Sequence, residues 1–310
     1  MAGIGVIHNP FARGNLNRPW IVEKLHELVT EVGALWETRT VSELPKIAED
    51  FLRRKFEILA INGGDGTLHL VISAFIKVYG DHPLPKVMPL RGGTMNTMTN
   101  SLKIKGRTLS ILQKAVQKYQ ESEPMKELKQ DLLKINDKYG FMSGAGMVAN
   151  FLDAYYSVPN PGPWQAVKII AKGAASGIMG TEYARSLFRP SRFRVTVDGR
   201  KLEPEEFSGI MGCTIKEVGL GLRPTFRAND QPNHFHFIAT TIKPFPFALR
   251  IPAFWFNRDW VHPKVIYSGV TREVEVEPLE PIRWTMDGEM YSADRPLHFS
   301  VGPAVSVVAP

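Results

Sequence analysis

The sequence predicts an α/β fold in two parts, a parallel sheet covered by helices over residues 1–125 and a mainly antiparallel domain over residues 126–310. Three observations carry this. Short apolar runs alternate with helix-period segments from Gly3 to Tyr119. Glycine-bearing loops, "NGGDGT" and "RGGTMNT", stand directly after two of the apolar runs. Beyond about residue 125 the periodicity shortens to that of strands joined by turns. Strand–helix alternation with short connections gives a parallel sheet, and runs of short strands give an antiparallel one.

Gly3–His8 is a buried strand by its unbroken apolar character. Pro19 opens a helical pattern with Ile21, Leu25, Leu28 and Val32 at spacings of three and four, and Gly33 ends it. Ala34–Thr40 is the second strand. Ser42–Lys55 is a helix with Leu44, Ile47 and Phe51 along one face. Phe56–Ile61 is a compact strand, Thr67–Tyr79 a helix, Lys86–Leu90 a strand, and Thr108–Tyr119 a helix. In the second part, "RFRVTVDGRKL" carries Asp198-Gly199, a hairpin-turn signal. "FHFIATTI", "REVEVEP" and "LHFSVGPAVSVVAP" extend the strand-rich character to Pro310.

Composition narrows the class. The chain of 310 residues is 44% hydrophobic and 22% charged, which is ordinary for a globular protein. A length of 310 favours two domains. No stretch approaches the roughly 18 apolar residues of a bilayer span, and Met1 leads into "AGIGVIHNP" without the basic and apolar regions of a signal peptide. One cysteine, Cys213, leaves no disulfide framework within the chain and fits a reducing compartment, so the expected location is cytoplasmic. The net charge of +7 favours an anionic partner. Basic residues are scattered and no zinc-finger or RNA-binding signature is present, so nucleic acid is not the expected one.

The loop Asn62–Thr67 carries the first chemistry. Glycine serves positive φ and close approach of a ligand to the backbone. Three glycines around Asp65, at a strand exit and a helix start, suit a loop whose N–H groups receive phosphate oxygens, with the helix N-terminus adding partial positive charge. Asp65 would hold magnesium directly or through water. The alternative is a strand–helix turn with an Asp cap. In parallel sheets ligands bind beyond the carboxyl ends of the strands, so both glycine loops face one side and can share one ligand.

"GGDGTLHLVISAF" resembles the nucleotide loop of the diacylglycerol kinase and sphingosine kinase superfamily, whose fold is shared with NAD kinases. "VIHNPFARG" (Val6–Gly14) resembles that superfamily's first-strand Asn-Pro loop, and "PLRGGTMNT" (Pro89–Thr97) its second nucleotide loop, Pro-x-Gly-Thr-x-Asn-Asp. "WTMDGEMYSADRPLHF" (Trp284–Phe299) resembles its Asp-Gly-Glu motif, and "HPKVIYSG" the segment before it. These occur in the family's order and at about its spacing, over nearly the whole chain.

The resemblance implies a Rossmann-like nucleotide domain followed by an antiparallel β-sandwich domain that binds lipid, with the active site between them. Its nucleotide cleft would use Asn9, Pro10, Arg13, Gly14, Thr40, Gly63, Gly64, Asp65, Gly66, Thr67, Thr94 and Asn96. It implies ATP and Mg2+, with Glu289 as the base that takes the proton of a lipid hydroxyl, Asp287 near metal or substrate, and Asp65 as a rival base. The activity it implies is transfer of the γ-phosphate of ATP to diacylglycerol or another membrane lipid. An NAD kinase-like enzyme, or a non-catalytic nucleotide- or lipid-binding relative, is the alternative. The turn formed by Asp287-Gly288 and a solvated Glu289 would be the bland reading of that motif.

Three positions depart from the family pattern. Thr97 stands where the second Asp of Thr-x-Asn-Asp joins a magnesium–water network. "NPFARG" places Arg13 where a small residue is usual; a guanidinium there can pair a phosphate bidentately or remain on the surface. The Asp-Asp-Gly associated with a structural magnesium is unmatched, and "RANDQPNHFHF" offers only Asp230 as a metal ligand.

Lys243–Lys264 is the expected contact with an anionic membrane surface. Phe245, Phe247, Phe254, Trp255, Phe256 and Trp260 interleave there with Lys243, Arg250, Arg258 and Lys264. The alternative is a core segment broken at Pro252. The protein would then be peripherally membrane-associated, with a homo-oligomer left open. His8, His69, His234, His236 and Cys213 fit no metal-ligand spacing. "AGM" at Ala145–Met147 marks either close packing or the substrate cleft.

Overall fold

A computed structural model describes residues 3–159, 161–256 and 264–310. The chain divides into two compact units, Met1–Gln130 with Pro303–Pro310, and Asp131–Gly302. The first unit contains β1 (Ile4–His8), α1 (Arg13–Leu16), α2 (Ile21–Val29), β2 (Gly33–Glu37), α3 (Leu44–Arg54), β3 (Ile58–Asn62), α4 (Asp65–Tyr79), β4 (Lys86–Pro89), α5 (Thr97–Ser101) and α6 (Thr108–Gln120). Its strands lie in the order β4-β3-β1-β2, all parallel. Every residue of β1 and β3 is buried, so both faces of the sheet are covered. Trp36, Phe51, Phe56 and Phe75 form an aromatic cluster, with Trp36 and Phe51 centroids 4.8 Å apart and Phe51 and Phe75 5.0 Å apart.

The predicted elements of this unit are all present, with shifts at their ends. The second strand stops at Glu37 rather than Thr40: the Thr38 N–H still bonds the His8 carbonyl, and the chain then bends at Arg39 and Thr40. Helix α4 begins at Asp65, two residues before the expected Thr67, which puts Asp65 and Gly66 into its first turn. The short helices α1 and α5 were not legible, since four or five residues hold no hydrophobic period.

The second unit begins within β5 (Lys126–Ile135) and continues through β6 (Lys138–Gly140), β7 (Met142–Gly146), α7 (Met147–Tyr156), α8 (Pro163–Met179) and α9 (Glu182–Leu187). Then come β8 (Ser191–Val197), β9 (Arg200–Lys201), β10 (Glu206–Phe207), β11 (Gly209–Cys213), β12 (Phe235–Thr240) and α10 (Pro244–Ala248). The last strands are β13 (Val265–Thr271), β14 (Glu273–Pro278), β15 (Ile282–Met286), β16 (Glu289–Ala293) and β17 (Leu297–Ala309). The end of β17 belongs to the first unit, where Val307 pairs parallel with Val87 of β4.

Two antiparallel sheets build the second unit, β10-β8-β14-β17 and β13-β12-β11-β7-β15-β16. Phe193, Val195, Val274 and Phe299 of the first sheet share one core with Ile210, Phe235, Phe237 and Trp284 of the second. Phe237 and Phe299 meet across it, centroids 5.9 Å apart. This is a β-sandwich. Asp198 and Gly199 have φ of 44° and 78°, the paired left-handed residues of a two-residue hairpin, as their sequence predicts.

The run of three helices from Met147 to Leu187 is a departure from the expected mainly antiparallel texture. Helix α8 carries glycine at 173 and 177, and apolar residues on its exposed side as well as its buried one, so the contrast that betrays a helix is weak.

Candidate functional site

Strands β1, β3 and β4 end level with one another, His8 pairing with Asn62 and Ile61 with Pro89. The three loops that follow therefore leave the sheet together. Asn9 extends the ladder by its N–H to the Asn62 carbonyl at 3.0 Å, and Leu90 by its N–H to the Ile61 carbonyl at 2.9 Å.

Side chains then sew the loops to each other. The Asn9 amide donates to the Thr67 hydroxyl at 2.8 Å, while its carbonyl oxygen accepts the Phe11 N–H at 2.9 Å. The Asn15 amide donates to the Asn9 carbonyl at 2.8 Å and the Asn62 carbonyl at 3.1 Å. Asn62 Nδ2 lies 2.8 Å from His8 Nδ1. The amide nitrogen donates, so Nδ1 accepts, and burial lowers the His8 pKa against the pull of Glu37.

Gly63, Gly64, Gly66, Gly92 and Gly93 all lie outside the positive-φ region. What requires glycine at two of these positions is close approach of chain to chain rather than backbone handedness. A Cβ on Gly92 would run into Asn62 Oδ1 and stand 2.8 Å from the Gly63 nitrogen, and one on Gly93 would meet the Gly64 Cα at 2.5 Å. The loops touch through their backbones.

Asp65 closes the junction. Its carboxylate accepts the N–H of Thr97 at 2.9 Å and of Met98 at 3.0 Å, serving as a cap for α5 from another helix. Burial raises the Asp65 pKa; the two backbone N–H groups, the Thr97 hydroxyl and the Arg91 charge act against it. Arg91 is itself held by the Ile104 carbonyl at 2.7 Å and Asn100 Oδ1 at 2.9 Å. Asn96, with φ of 48°, exchanges two hydrogen bonds with Gly93 at 3.1 and 2.9 Å.

Helix α4 has no side-chain cap. Its first-turn N–H groups have no intrahelical acceptor, which makes its start an anion-receiving end. A carboxylate oxygen has more lone pairs than the N–H groups use, so Asp65 can still take one metal or water contact. Thr97 brings no charge. This donor set fits a magnesium ion held chiefly by phosphate oxygens, with Asp65 as its one protein carboxylate.

The remaining predicted nucleotide residues spread outward. Pro10, Arg13 and Gly14 are half-buried, Arg13 and Gly14 in the short helix α1. Thr94 is exposed. Thr40 is exposed beyond β2, its hydroxyl engaged with Ser42 Oγ at 2.9 Å and Glu43 Oε1 at 3.1 Å. Sequence reasoning missed Asn15 and Arg91. Neither belongs to a periodic pattern, and their hydrogen bonds depend on the three loops meeting.

In the second unit the Asp-Gly-Glu motif is a hairpin between β15 and β16. Met286 pairs with Glu289, and Asp287 and Gly288 take φ of 47° and 89°. Asp287 is buried, and its carboxylate accepts the N–H of Phe141 at 3.0 Å and of Met142 at 3.0 Å. A Cβ on Gly140 would collide with Asp287 Oδ2. Glu289 is different: it is half-buried, it has no hydrogen bond or ion pair among the described residues, and burial raises its pKa. One carboxylate holds the hairpin and the other is left unengaged.

Asp230 is exposed and lies between cations, with Lys216 Nζ at 3.0 Å and Arg227 Nε at 4.0 Å. Among the described residues no group of three or more His, Cys, Asp or Glu side chains could hold a metal ion. His236 is buried and bonded to the Arg227 N–H at 3.3 Å, and Cys213 is buried. Gly146, in "AGM", with φ of 66°, starts α7, and the Met147 N–H bonds the Ser208 carbonyl at 2.7 Å.

The aromatic stretch divides. Phe254 is buried and Phe247 packs between it and Phe188, with centroids 5.9 and 5.0 Å away. Phe245, Trp255 and Phe256 are exposed. Arg258 and Trp260 lie outside the described residues.

Known proteins resemble the chain throughout its length. Residues 3–127 match the diacylglycerol kinase catalytic domain. A diacylglycerol kinase of Staphylococcus carnosus (strain TM300) is 23% identical over 300 residues, spanning 95% of this chain and 90% of that one. A diacylglycerol kinase of Staphylococcus aureus (strain JH9) is 24% identical over 299 residues, spanning 95% and 88%. The crystal structure of a diacylglycerol kinase from Bacillus anthracis str. Sterne shares the fold, with a TM-score of 0.65 and 13% identity over 99% of this chain and 97% of that one. Domain match, full-length likeness and shared fold agree in what the chain is similar to: diacylglycerol kinases, whose catalytic domain residues 3–127 match.

Proposed function

We propose that the protein transfers the γ-phosphate of ATP to the hydroxyl of diacylglycerol in a magnesium-dependent reaction that yields phosphatidic acid. The observation that carries this is the junction at the ends of β1, β3 and β4, where backbone packs on backbone around the uncapped start of α4. A triphosphate suits that place because N–H groups and helix polarity stabilise several negative oxygens without a fixed side-chain charge. Asn9, Gly63–Thr67, Gly92, Gly93 and Asn96 shape it, and Asp65 and Asn15 keep the loops in register.

Magnesium, when bound with the nucleotide, would neutralise phosphate charge, with Asp65 as its protein contact. Glu289 is the base. It takes the proton of the lipid hydroxyl as that oxygen bonds to the γ-phosphorus and the bond to the β-phosphate oxygen breaks, releasing ADP. Its raised pKa, and the absence of a hydrogen-bond or ion-pair partner for its carboxylate among the described residues, suit a proton acceptor. Asp287 supports it by holding the hairpin on which Glu289 stands. Arg13 is a contact for the outer phosphate, Thr40 and Thr94 belong to the nucleotide's rim, and Asp230 is the weakest metal contact because two cations compete for it.

The relatives' names point to diacylglycerol as the acceptor, and to reach a water-insoluble acceptor a cytoplasmic enzyme would associate peripherally with a membrane. No helix among the described residues is long and apolar enough to cross a membrane. The test is transfer from γ-labelled ATP to a panel of diacylglycerol, monoacylglycerol, ceramide, sphingosine and phosphatidylglycerol in mixed micelles, with NAD as a soluble acceptor. Label in diacylglycerol above the others supports the assignment. Label in NAD alone, or in no acceptor, contradicts it.

A further inference from the structure

Helix α8 is apolar on the side that faces outward. At 100° per residue, its exposed residues Val167, Ile178, Ala171, Trp164, Ala175 and Met179 occupy one arc, with Lys168 inside it between Ala175 and Met179 and Lys172 at its edge. The exposures are large, 78% at Trp164, 61% at Ile178 and 69% at Met179. The opposite side, Ala166, Ile169, Ser176 and Gly177, is buried. A solvated helix normally presents a mainly polar outer face, and here six of the eight exposed residues on that arc are apolar.

The apolar surface continues onto a second element. A Cβ on Gly177 would meet the Pro244 carbonyl oxygen at 3.0 Å, so α8 and α10 touch one residue away from exposed Ile178 and one away from exposed Phe245. Leu249, Trp255 and Phe256 follow, also exposed, and Trp255 is fixed by its indole N–H to the Leu220 carbonyl at 3.1 Å.

Charge decides what covers this face. Residues 161–180 and 243–256 contain Lys168, Lys172, Lys243 and Arg250 and no acidic residue. Of the neighbouring acids, Glu182 pairs with Arg185 at 3.7 Å, Asp153 pairs with Arg283, and Glu217 accepts the Gly221 N–H at 3.2 Å. A symmetric contact with a second copy would set these cations against their own equivalents. An anionic bilayer surface instead offers phosphates to the lysines and an acyl boundary to the aromatic and aliphatic side chains.

We infer that the outer face of α8, together with Phe245, Leu249, Trp255 and Phe256, is the surface by which this protein lies on an anionic lipid bilayer. The inference rests on the lipid-kinase reading for its purpose, and on exposure and charge for its location. Helix α8 lies along the headgroup boundary and does not cross it, consistent with the lack of a spanning helix among the described residues.

The test is co-sedimentation of the full chain with vesicles of phosphatidylcholine alone or with phosphatidylglycerol, together with activity on a short-chain diacylglycerol kept below its micelle concentration. The wild type binds the anionic vesicles and binds them less as salt rises. Trp164→Ser with Ile178→Ser lowers that binding at least about 30-fold. Lys168→Gln and Lys172→Gln lower it about five-fold each, on anionic vesicles only. Activity on the soluble acceptor is unchanged in all of them. Because sedimentation needs no turnover, lack of kinase activity would strike the proposed reaction and leave this surface standing. Unchanged vesicle binding in the Trp164/Ile178 variant would overturn the inference. So would its conversion of a dimer to a monomer by sedimentation velocity without loss of vesicle binding.

Discussion

The Asp65 carboxylate holds the backbone of Thr97, 32 positions along the chain, at 2.9 Å, and so ties the loop after β3 to the loop after β4. A carboxylate expected as a metal contact or a rival base is also the clasp between these two loops. Thr97 supports the clasp from its own side, its hydroxyl acting with the N–H groups to favour the ionised form of Asp65.

Replacing Thr97 by Asp therefore sets two carboxylates against each other where one is already raised by burial. Thr97→Asp is expected to lower Tm in the absence of divalent cations and to recover it when magnesium is added. The wild-type Tm should move little under the same addition. Thermal melts with and without magnesium check this, and a variant Tm indifferent to the ion would contradict it.

Gly92 tests the packing of the loops. Its Cβ position overlaps Asn62 Oδ1 and crowds the Gly63 backbone nitrogen, so the two loops would have to shift apart. Gly92→Ala should cost about 1–3 kcal/mol of stability and raise the KM for ATP several-fold. Gly162 has open space around its Cβ position, so Gly162→Ala should leave both unchanged. Denaturant melts and nucleotide titration of the two variants make the comparison.

Much of this was legible. The strand ends carrying Asn9, Asn62 and Leu90 follow from apolar runs bounded by turn residues, and the Asp198-Gly199 hairpin from its dipeptide. Partnership between loops was not. Asn15 and Arg91 act only once three segments distant in sequence meet, and no local period marks them. Helix α8 was hidden for a physical reason, since a helix apolar on both sides lacks the contrast that periodicity detects. The role of Asp287 was half legible. Its turn is written in Asp-Gly, but its grip on Phe141 and Met142 depends on a strand 145 positions earlier.

Asp287 and Glu289, two residues apart, should separate fold from chemistry. Asp287→Ala leaves buried N–H groups of Phe141 and Met142 without an acceptor and should destabilise by about 2–3 kcal/mol. Glu289→Gln removes no hydrogen bond among the described residues and should keep the wild-type Tm. Urea melts of both variants, read beside activity, check the division.

The role proposed for Glu289 as base sets the expected pH dependence. A base must be deprotonated to accept a proton, and burial raises this one above the ordinary glutamate value of 4.5. The acid limb of kcat/KM for the lipid should therefore lie above that value, with activity rising as pH rises through it. Glu289→Gln should abolish this limb. A profile of kcat/KM against pH, with the variant's residual rate measured alongside, tests both statements.

Stability at mild acidity should depend on His8. Its folded pKa is lowered from 6.5, so the unfolded chain takes up the proton first as pH falls. The contribution is fully present above 6.5 and is lost as pH falls through that value toward the lowered folded one. His8→Gln should show a flatter decline of stability over that window, measured by urea melts at a series of pH values.

The proposed role of Glu289 in phosphoryl transfer to a lipid hydroxyl can be tested directly. The most direct measurement is single-turnover formation of phosphatidic acid from γ-labelled ATP and diacylglycerol in mixed micelles, for wild type and Glu289→Gln of matched Tm. The wild type should form labelled phosphatidic acid, and the variant should form it at a rate at least about 100-fold lower. Equal rates from the two proteins would contradict that role.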